Sequence, residues 1–298
     1  MAGKDYGRVI TAMVTPFDAD LQVDYGRAAE LARRLVEGGC DGLVVTGSTG
    51  EAATLSFAEK VRLYRTVVEA VGDRVFVWAG TGSNNTEETV RLSRAAAEAG
   101  VDGLLLVVPY YNKPPQASLE RHFTRVADAV DIPVMLYNVP GRTATNMEPA
   151  TVARLAQHPR IVALKESSGN LTQASAVRRA CPDDFVIYSG DDDLTLPMLA
   201  VGARGVVSVA GNVVPGAIAR MIAAFEAGDV AEARRLHLRL FPFFRALFVT
   251  SNPIPVKCAL EIAGFPVGGL RQPLDAADEG VRRHLEQVMA EISDLLPG

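Results

Sequence analysis

Gly100-Val101-Asp102-Gly103-Leu104-Leu105-Leu106-Val107-Val108 is the stretch that decides the fold. Two glycines bracket a short turn, and an uncharged apolar run of strand length follows. The same junction is echoed as Gly39-Cys40-Asp41-Gly42 and Gly202-Ala203-Arg204-Gly205. In each echo the first glycine can end a helix in the left-handed conformation, and the second opens the next strand.

Working outward, strand candidates lie at Val9–Val14, Leu43–Thr46, Val75–Ala79, Gly103–Val108, Val134–Tyr137, Ile161–Lys165, Phe185–Tyr188 and Gly205–Val209. A helical pattern follows each, which implies a parallel sheet with crossover helices. One helix has a readable start: Ser56 with Glu59 forms a capping box before Val61, Tyr64, Val67, Val68 and Val71. Another carries Ile218, Met221, Ile222 and Phe225 on one face. Eight units over about 220 residues suit an α/β fold of the (β/α)8 TIM-barrel type, which typically takes about 250. An open doubly wound sheet is the competitor, but it rarely uses eight regular units. Residues 1–228 are therefore read as the catalytic barrel. Residues 229–298 are read as a C-terminal helical extension, with helices over Val230–Leu247, Ile254–Ala263 and Asp275–Leu296.

Composition narrows the function. A net charge of -5 argues against nucleic acid or an anionic membrane as the main partner. No uncharged apolar stretch reaches membrane-spanning length. Met1 to Tyr6 has no apolar core, so no signal peptide is expected and a cytoplasmic location is. Cys40, Cys181 and Cys258 are odd in number and far apart, as expected of reduced buried thiols. No glycine-rich dinucleotide or nucleotide-phosphate motif follows a strand.

Barrel chemistry sits at the C-terminal ends of the strands. The sixth strand candidate ends in Lys165. A strand interior disfavours an ammonium through desolvation. A neutral amine there suits Schiff-base formation with a carbonyl substrate, against the plainer reading of a lysine reaching out to water. Tyr137 closes the preceding strand, and a phenol beside a buried amine can pass protons. Gly47-Ser48-Thr49-Gly50-Glu51 offers hydroxyls and backbone N–H groups to a carboxylate. Arg142, in a glycine-flanked loop, can grip a carboxylate in a bidentate way. Asp191-Asp192-Asp193 reads as capping of the helix that follows it and not as a metal site. His122, His158, His237 and His284 are scattered, and none is assigned. Lys257 follows two prolines at a helix start and reads as structural.

These residues together resemble the dihydrodipicolinate synthase and N-acetylneuraminate lyase family of class I, pyruvate-dependent aldolases. The resemblance runs from about Val9 to the C-terminus. Its carriers are the Gly47–Glu51 turn, Tyr137-Asn138-Val139-Pro140 and Leu164-Lys165-Glu166-Ser167-Ser168-Gly169-Asn170. Pro109-Tyr110-Tyr111-Asn112-Lys113-Pro114, Gly141-Arg142-Thr143, Ser189-Gly190-Asp191-Asp192 and Asn252-Pro253-Ile254-Pro255-Val256-Lys257 are similar to the branch that condenses pyruvate with aspartate semialdehyde toward diaminopimelate and lysine.

The resemblance implies roles for single residues. Lys165 forms the pyruvate imine, and Tyr137 shuttles protons. Thr49 connects Tyr137 to Tyr111, which reaches into a neighbour's site across a dimer interface. Ser48 and Thr49 hold the pyruvate carboxylate, Arg142 holds that of the aldehyde, and Gly190 and Val207 line the site. The chemistry implied needs no metal or organic cofactor. The expected partner is a second copy of the chain, in a homotetramer built as a dimer of dimers. Two alternatives stand beside this: a relative cleaving a sialic acid or 2-keto-3-deoxy sugar acid, and a ligand-binding barrel without catalysis. A guanidinium at position 142 suits a carboxylate better than a polyol, and a mere binder has no need of a proton relay.

Two departures from the family pattern stand out. Ser48 replaces a threonine common among the synthases but keeps the hydroxyl. In the family's lysine-inhibition cleft, Tyr110, Asn84 and Glu88 match, but Phe57 and Lys60 stand where sensitive enzymes often carry histidine. A cation at Lys60 repels the ammonium of lysine, so weak or absent inhibition is expected.

Overall fold

The computed structural model describes residues 6–296. Eight parallel strands close on themselves in sequence order: β1 (Val9–Ala12), β2 (Gly42–Val45), β3 (Phe76–Gly80), β4 (Gly103–Val107), β5 (Val134–Asn138), β6 (Ile161–Glu166), β7 (Val186–Ser189) and β8 (Gly205–Ser208). The crossover helices are α1 (Tyr25–Glu37), α2 (Phe57–Val71), α3 (Thr86–Glu98), α4 (Gln116–Asp128), α5 (Pro140–Thr143) with α6 (Pro149–Leu155), α7 (Leu171–Ala180), α8 (Thr195–Ala200) and α9 (Pro215–Glu226). After them come α10 (Val230–Ala246), α11 (Ile254–Ile262) and α12 (Glu279–Glu291). The TIM-barrel reading therefore holds. Among the described residues, no helix is long and apolar enough to cross a membrane.

The repeated glycine junctions work as their sequence suggests. Gly39, Gly100 and Gly202 all have positive φ, at 101°, 89° and 97°. Gly42, Gly103 and Gly205 are the first residues of their strands. A Cβ at Gly103 would lie 2.6 Å from the Trp78 ring, so the neighbouring strand excludes one. The aspartates of two echoes cap adjoining strands. Asp41 accepts from the N–H groups of Arg8 and Val9, and Asp102 from that of Val77.

Apolar side chains fill two layers. One lies between sheet and helices. The other fills the barrel with Ile10, Val44, Trp78, Leu105, Met135, Ala163, Tyr188 and Val207. At its N-terminal end Tyr6 meets Phe76 and Trp78 edge-on, with centroids 5.2 and 5.5 Å apart. This aromatic plug leaves the opposite mouth for chemistry.

Several local readings change. β5 and β6 each run one residue further than expected, because their ladder continues through Asn138↔Glu166. The last helix begins after Asp278, whose side chain accepts from Val281 N–H, and not at Asp275. The aspartate triplet does not cap its own helix. Asp192 is buried, and its carboxylate accepts from the Ser208 hydroxyl and from the N–H groups of Val209 and Ala210 beyond β8. Asp193 pairs with Arg245 at 3.0 Å. The Ser56–Glu59 capping box is present as expected. All three cysteines are buried and free, and burial pushes the Cys40 thiol up to about 12.

Candidate active site

Side chains alternate across a strand, so parity assigns the inner and outer faces of the barrel. Tyr137 and Lys165 are paired residues of β5 and β6. Both face inward at the mouth, and the Lys165 Nζ lies 4.2 Å from the centre of the Tyr137 ring. Lys165 is only 5% exposed. A cleft opens above it, walled by Ser48, Thr49, Tyr137, Arg142, Gly190, Asp191 and Asn252. The structure thus brings together six of the residues singled out from the sequence: Lys165, Tyr137, Ser48, Thr49, Arg142 and Gly190.

The Gly47–Glu51 turn is held tightly. Thr46 and Glu51 sit at its two ends in the left-handed region, with φ of 56° and 55°. Such backbone costs about 1–3 kcal/mol per residue and persists where its surroundings fix it. Here they do. Thr46 Oγ1 donates to Gly80 O at 3.0 Å, and Thr15 Oγ1 donates to Gly50 O at 2.7 Å. The Glu51 carboxylate is buried against the Lys257 ammonium at 2.6 Å and also accepts from Arg271 N–H. Lys257 in turn donates to Gly269 O. Burial lowers the Lys257 pKa, and Glu51 opposes that shift. Lys257 is therefore structural, but its anchor is the turn that walls the cleft.

Asn252 is the residue that sequence reasoning missed most clearly. It comes from the loop before α11, yet its Nδ2 donates to Thr49 Oγ1 at 2.9 Å. Its backbone oxygen accepts from Arg142 Nη2 at 3.4 Å. One residue thus steadies two walls of the cleft. The sequence offered only the Asn252–Lys257 segment as a whole, with no spacing to pair it with residue 49.

Other expected residues are placed differently. Thr49 is buried and accepts from Asn252, and it makes no hydrogen bond with Tyr137 or Tyr111. Ser48 is the hydroxyl exposed to the cleft. Tyr111 is 89% exposed, with φ of 73°. Val207 lies within the barrel filling, and Val209 is the residue beyond β8 that lines the cleft. A Cβ at Gly190 would collide with Ser167 Oγ and lie 2.8 Å from Lys165 Cε, so a bare backbone is required beside the lysine.

Acidic groups surround the amine. Burial pushes Asp191 up to about 6, partly offset by the Lys165 charge. Burial also raises Asp192, against the hydrogen bonds it accepts. Among the described residues, no group of three or more His, Cys, Asp or Glu is arranged to hold a metal ion.

Comparison with known proteins agrees with this fold. A 4-hydroxy-tetrahydrodipicolinate synthase of Heliobacterium modesticaldum is 59% identical over 275 residues, covering 92% of each chain. One from Synechococcus elongatus is 54% identical over 288 residues, covering 96% of each. The crystal structure of the Cyanidioschyzon merolae enzyme with lysine bound superposes with a TM-score of 0.95 at 49% identity, covering 97% of this chain and 98% of that one. Residues 5–292 match the Dihydrodipicolinate synthetase family, and the chain belongs to it.

Proposed function

We propose that this chain is a lyase of the class I aldolase type that condenses pyruvate with aspartate semialdehyde. The product is 4-hydroxy-tetrahydrodipicolinate, on the route to diaminopimelate and lysine. The observation that carries this reading is a nearly buried Lys165 against Tyr137, under a cleft that also holds Arg142 and the Gly47–Glu51 turn.

The Lys165 amine attacks the pyruvate ketone, and water leaves as the C=N bond forms. The iminium draws electrons from the pyruvate methyl, which loses a proton to give the enamine. The enamine carbon bonds to the aldehyde carbon of aspartate semialdehyde, whose oxygen takes up a proton. The substrate's own amine then displaces Lys165 by transimination and closes the ring. The imine is the electron sink, so these steps call for no metal or organic cofactor. Tyr137 carries the protons. Ser48 and the N–H groups of its turn hold the pyruvate carboxylate, and Arg142 holds that of the aldehyde.

We assign the relay hydroxyl between Tyr137 and Tyr111 to Ser48, because Ser48 is exposed at the cleft whereas Thr49 is buried. The exposure of Tyr111 supports its donation to a neighbouring copy, in a homotetramer of two dimers. A cytoplasmic location fits a biosynthetic enzyme of this kind. Cleavage of a sugar acid is disfavoured by the guanidinium where a polyol would bind. Borohydride reduction with pyruvate, followed by peptide mapping, tests the proposal. Pyruvate must become fixed to Lys165, and a label elsewhere or none at all overturns it.

A further inference from the structure

We propose that Glu166 and Asn138, with Gln173 and Asn146, are positioning residues that hold the Lys165–Tyr137 pair in reacting alignment from the far side of the barrel wall. The proposal rests on the Lys165 reading above. The inward pair Tyr137↔Lys165 is followed by the outward pair Asn138↔Glu166 in the same ladder. Asn138 is fully buried, and its Nδ2 lies 3.2 Å from each oxygen of the buried Glu166 carboxylate.

The cluster extends from there without a break. Asn138 Nδ2 also donates to Asn146 Oδ1 at 2.9 Å, while Asn138 Oδ1 accepts from Met147 N–H at 2.9 Å. Glu166 accepts from Ser168 N–H at 2.7 Å and from Gln173 Nε2 at 3.1 Å. Gln173 Oε1 accepts from Asn146 Nδ2 at 2.8 Å. The backbone of Glu166 accepts from Gly190 N–H at 2.8 Å, and that of Asn138 from Ser167 N–H at 2.8 Å. The tie therefore spans β5, β6, the segment after Arg142, the loop after Lys165 and the start of α7.

Its chemistry is selective. Every side-chain group facing the Glu166 carboxylate is a neutral donor, so both oxygens must accept. A glutamine there turns an NH2 toward a donor and leaves buried groups unpaired. The register next to Lys165 and Tyr137 then loses its lock, and small misplacement of reacting groups is costly in rate.

The test is rapid borohydride quenching of imine formation with pyruvate, alongside kcat, KM and circular dichroism. Three variants are compared with the wild type: Glu166→Gln, Gln173→Met, and the exchange Glu166→Gln/Gln173→Glu. Glu166→Gln is expected to slow imine formation at least tenfold in folded protein, with a smaller change in pyruvate KM. Gln173→Met, at the cluster edge, slows it less. The exchange restores the bond between residues 166 and 173 but leaves the residue-166 amide beside Asn138 Nδ2, so it recovers only part of the rate lost in Glu166→Gln. An unchanged rate in both Glu166→Gln and Gln173→Met overturns the proposal, as does an exchange variant that folds but is no faster than Glu166→Gln. Should Glu166→Gln fail to fold, Gln173→Met decides alone. A wild type that traps no pyruvate refutes the Lys165 reading instead, so the two failures are distinguishable.

Discussion

Lys257→Met is the sharpest test of how the substrate-facing turn is held. The Lys257 and Glu51 side chains are 2% and 1% exposed, and their charged atoms are 2.6 Å apart. Methionine keeps most of the volume but leaves the Glu51 carboxylate in an apolar wall, with Arg271 N–H still donating to it. Removing one partner of a buried pair costs about 3–5 kcal/mol. An unfolding entropy of about 2.1 cal/mol/K per residue gives a 298-residue chain about 0.6 kcal/mol/K. The expected fall in Tm is then about 5–8 °C by scanning calorimetry. Replacing both residues, as Glu51→Gln/Lys257→Met, removes the stranded charge and should recover more than half of the loss. Pyruvate KM should rise in the single variant, because Glu51 ends the turn that carries Ser48. A fall below about 2 °C, or a double variant no more stable than the single, refutes this account of the pair.

Tyr137→Phe should lower kcat by about 10²–10⁴, the usual worth of a positioned proton donor, as read in initial rates. Ser48→Ala should reduce kcat more than Thr49→Val does, and the reverse order returns the relay to Thr49. Asp191 titrates near 6 in the folded chain against 3.8 for an ordinary aspartate. Its contribution to stability is therefore complete below about pH 4 and is lost as pH rises through 6. Asp191→Asn escapes that loss, so its stability relative to wild type should climb by up to about 3 kcal/mol between pH 4 and 7. A flat difference in denaturation midpoints across that range counts against the buried carboxylate. Lysine below the millimolar range should leave the rate unchanged, and Lys60→His should confer inhibition. Lys60 is partly buried near Glu88, and burial lowers its pKa. Strong inhibition of the wild type contradicts the charge argument.

What the sequence revealed follows the range of the interactions. The barrel strands are short β-branched runs between glycine junctions, and those signals are local. Ser56 and Glu59 are three residues apart, so their capping box was legible as well. Lys165 and Tyr137 could be seen to end consecutive strands. Their register could not, because it depends on a ladder between distant segments. Asp192 was misread for the same reason: its acceptor role is toward residues beyond β8. Asn252 and Thr49 are 203 residues apart, and only the folded extension brings them together. The extension is thus part of the cleft wall, although its sequence reads as three ordinary amphipathic helices.

The imine chemistry proposed for Lys165 sets it two tasks that pull in opposite directions. Attack on the ketone requires a free amine, whereas enamine formation requires a cationic imine that withdraws electrons. Asp191 and Asp192 both feel the positive charge of Lys165, and the face of the Tyr137 ring lies against the same nitrogen. Asp191 is the member of this set whose proton comes and goes near pH 6. In the proposed cycle a protonated Asp191 relaxes the hold on an ammonium, and an ionised one stabilises the iminium. The bare backbone of Gly190 leaves the lysine stem room beside that carboxylate. In the proposed cycle one buried nitrogen serves first as nucleophile and then as electron sink.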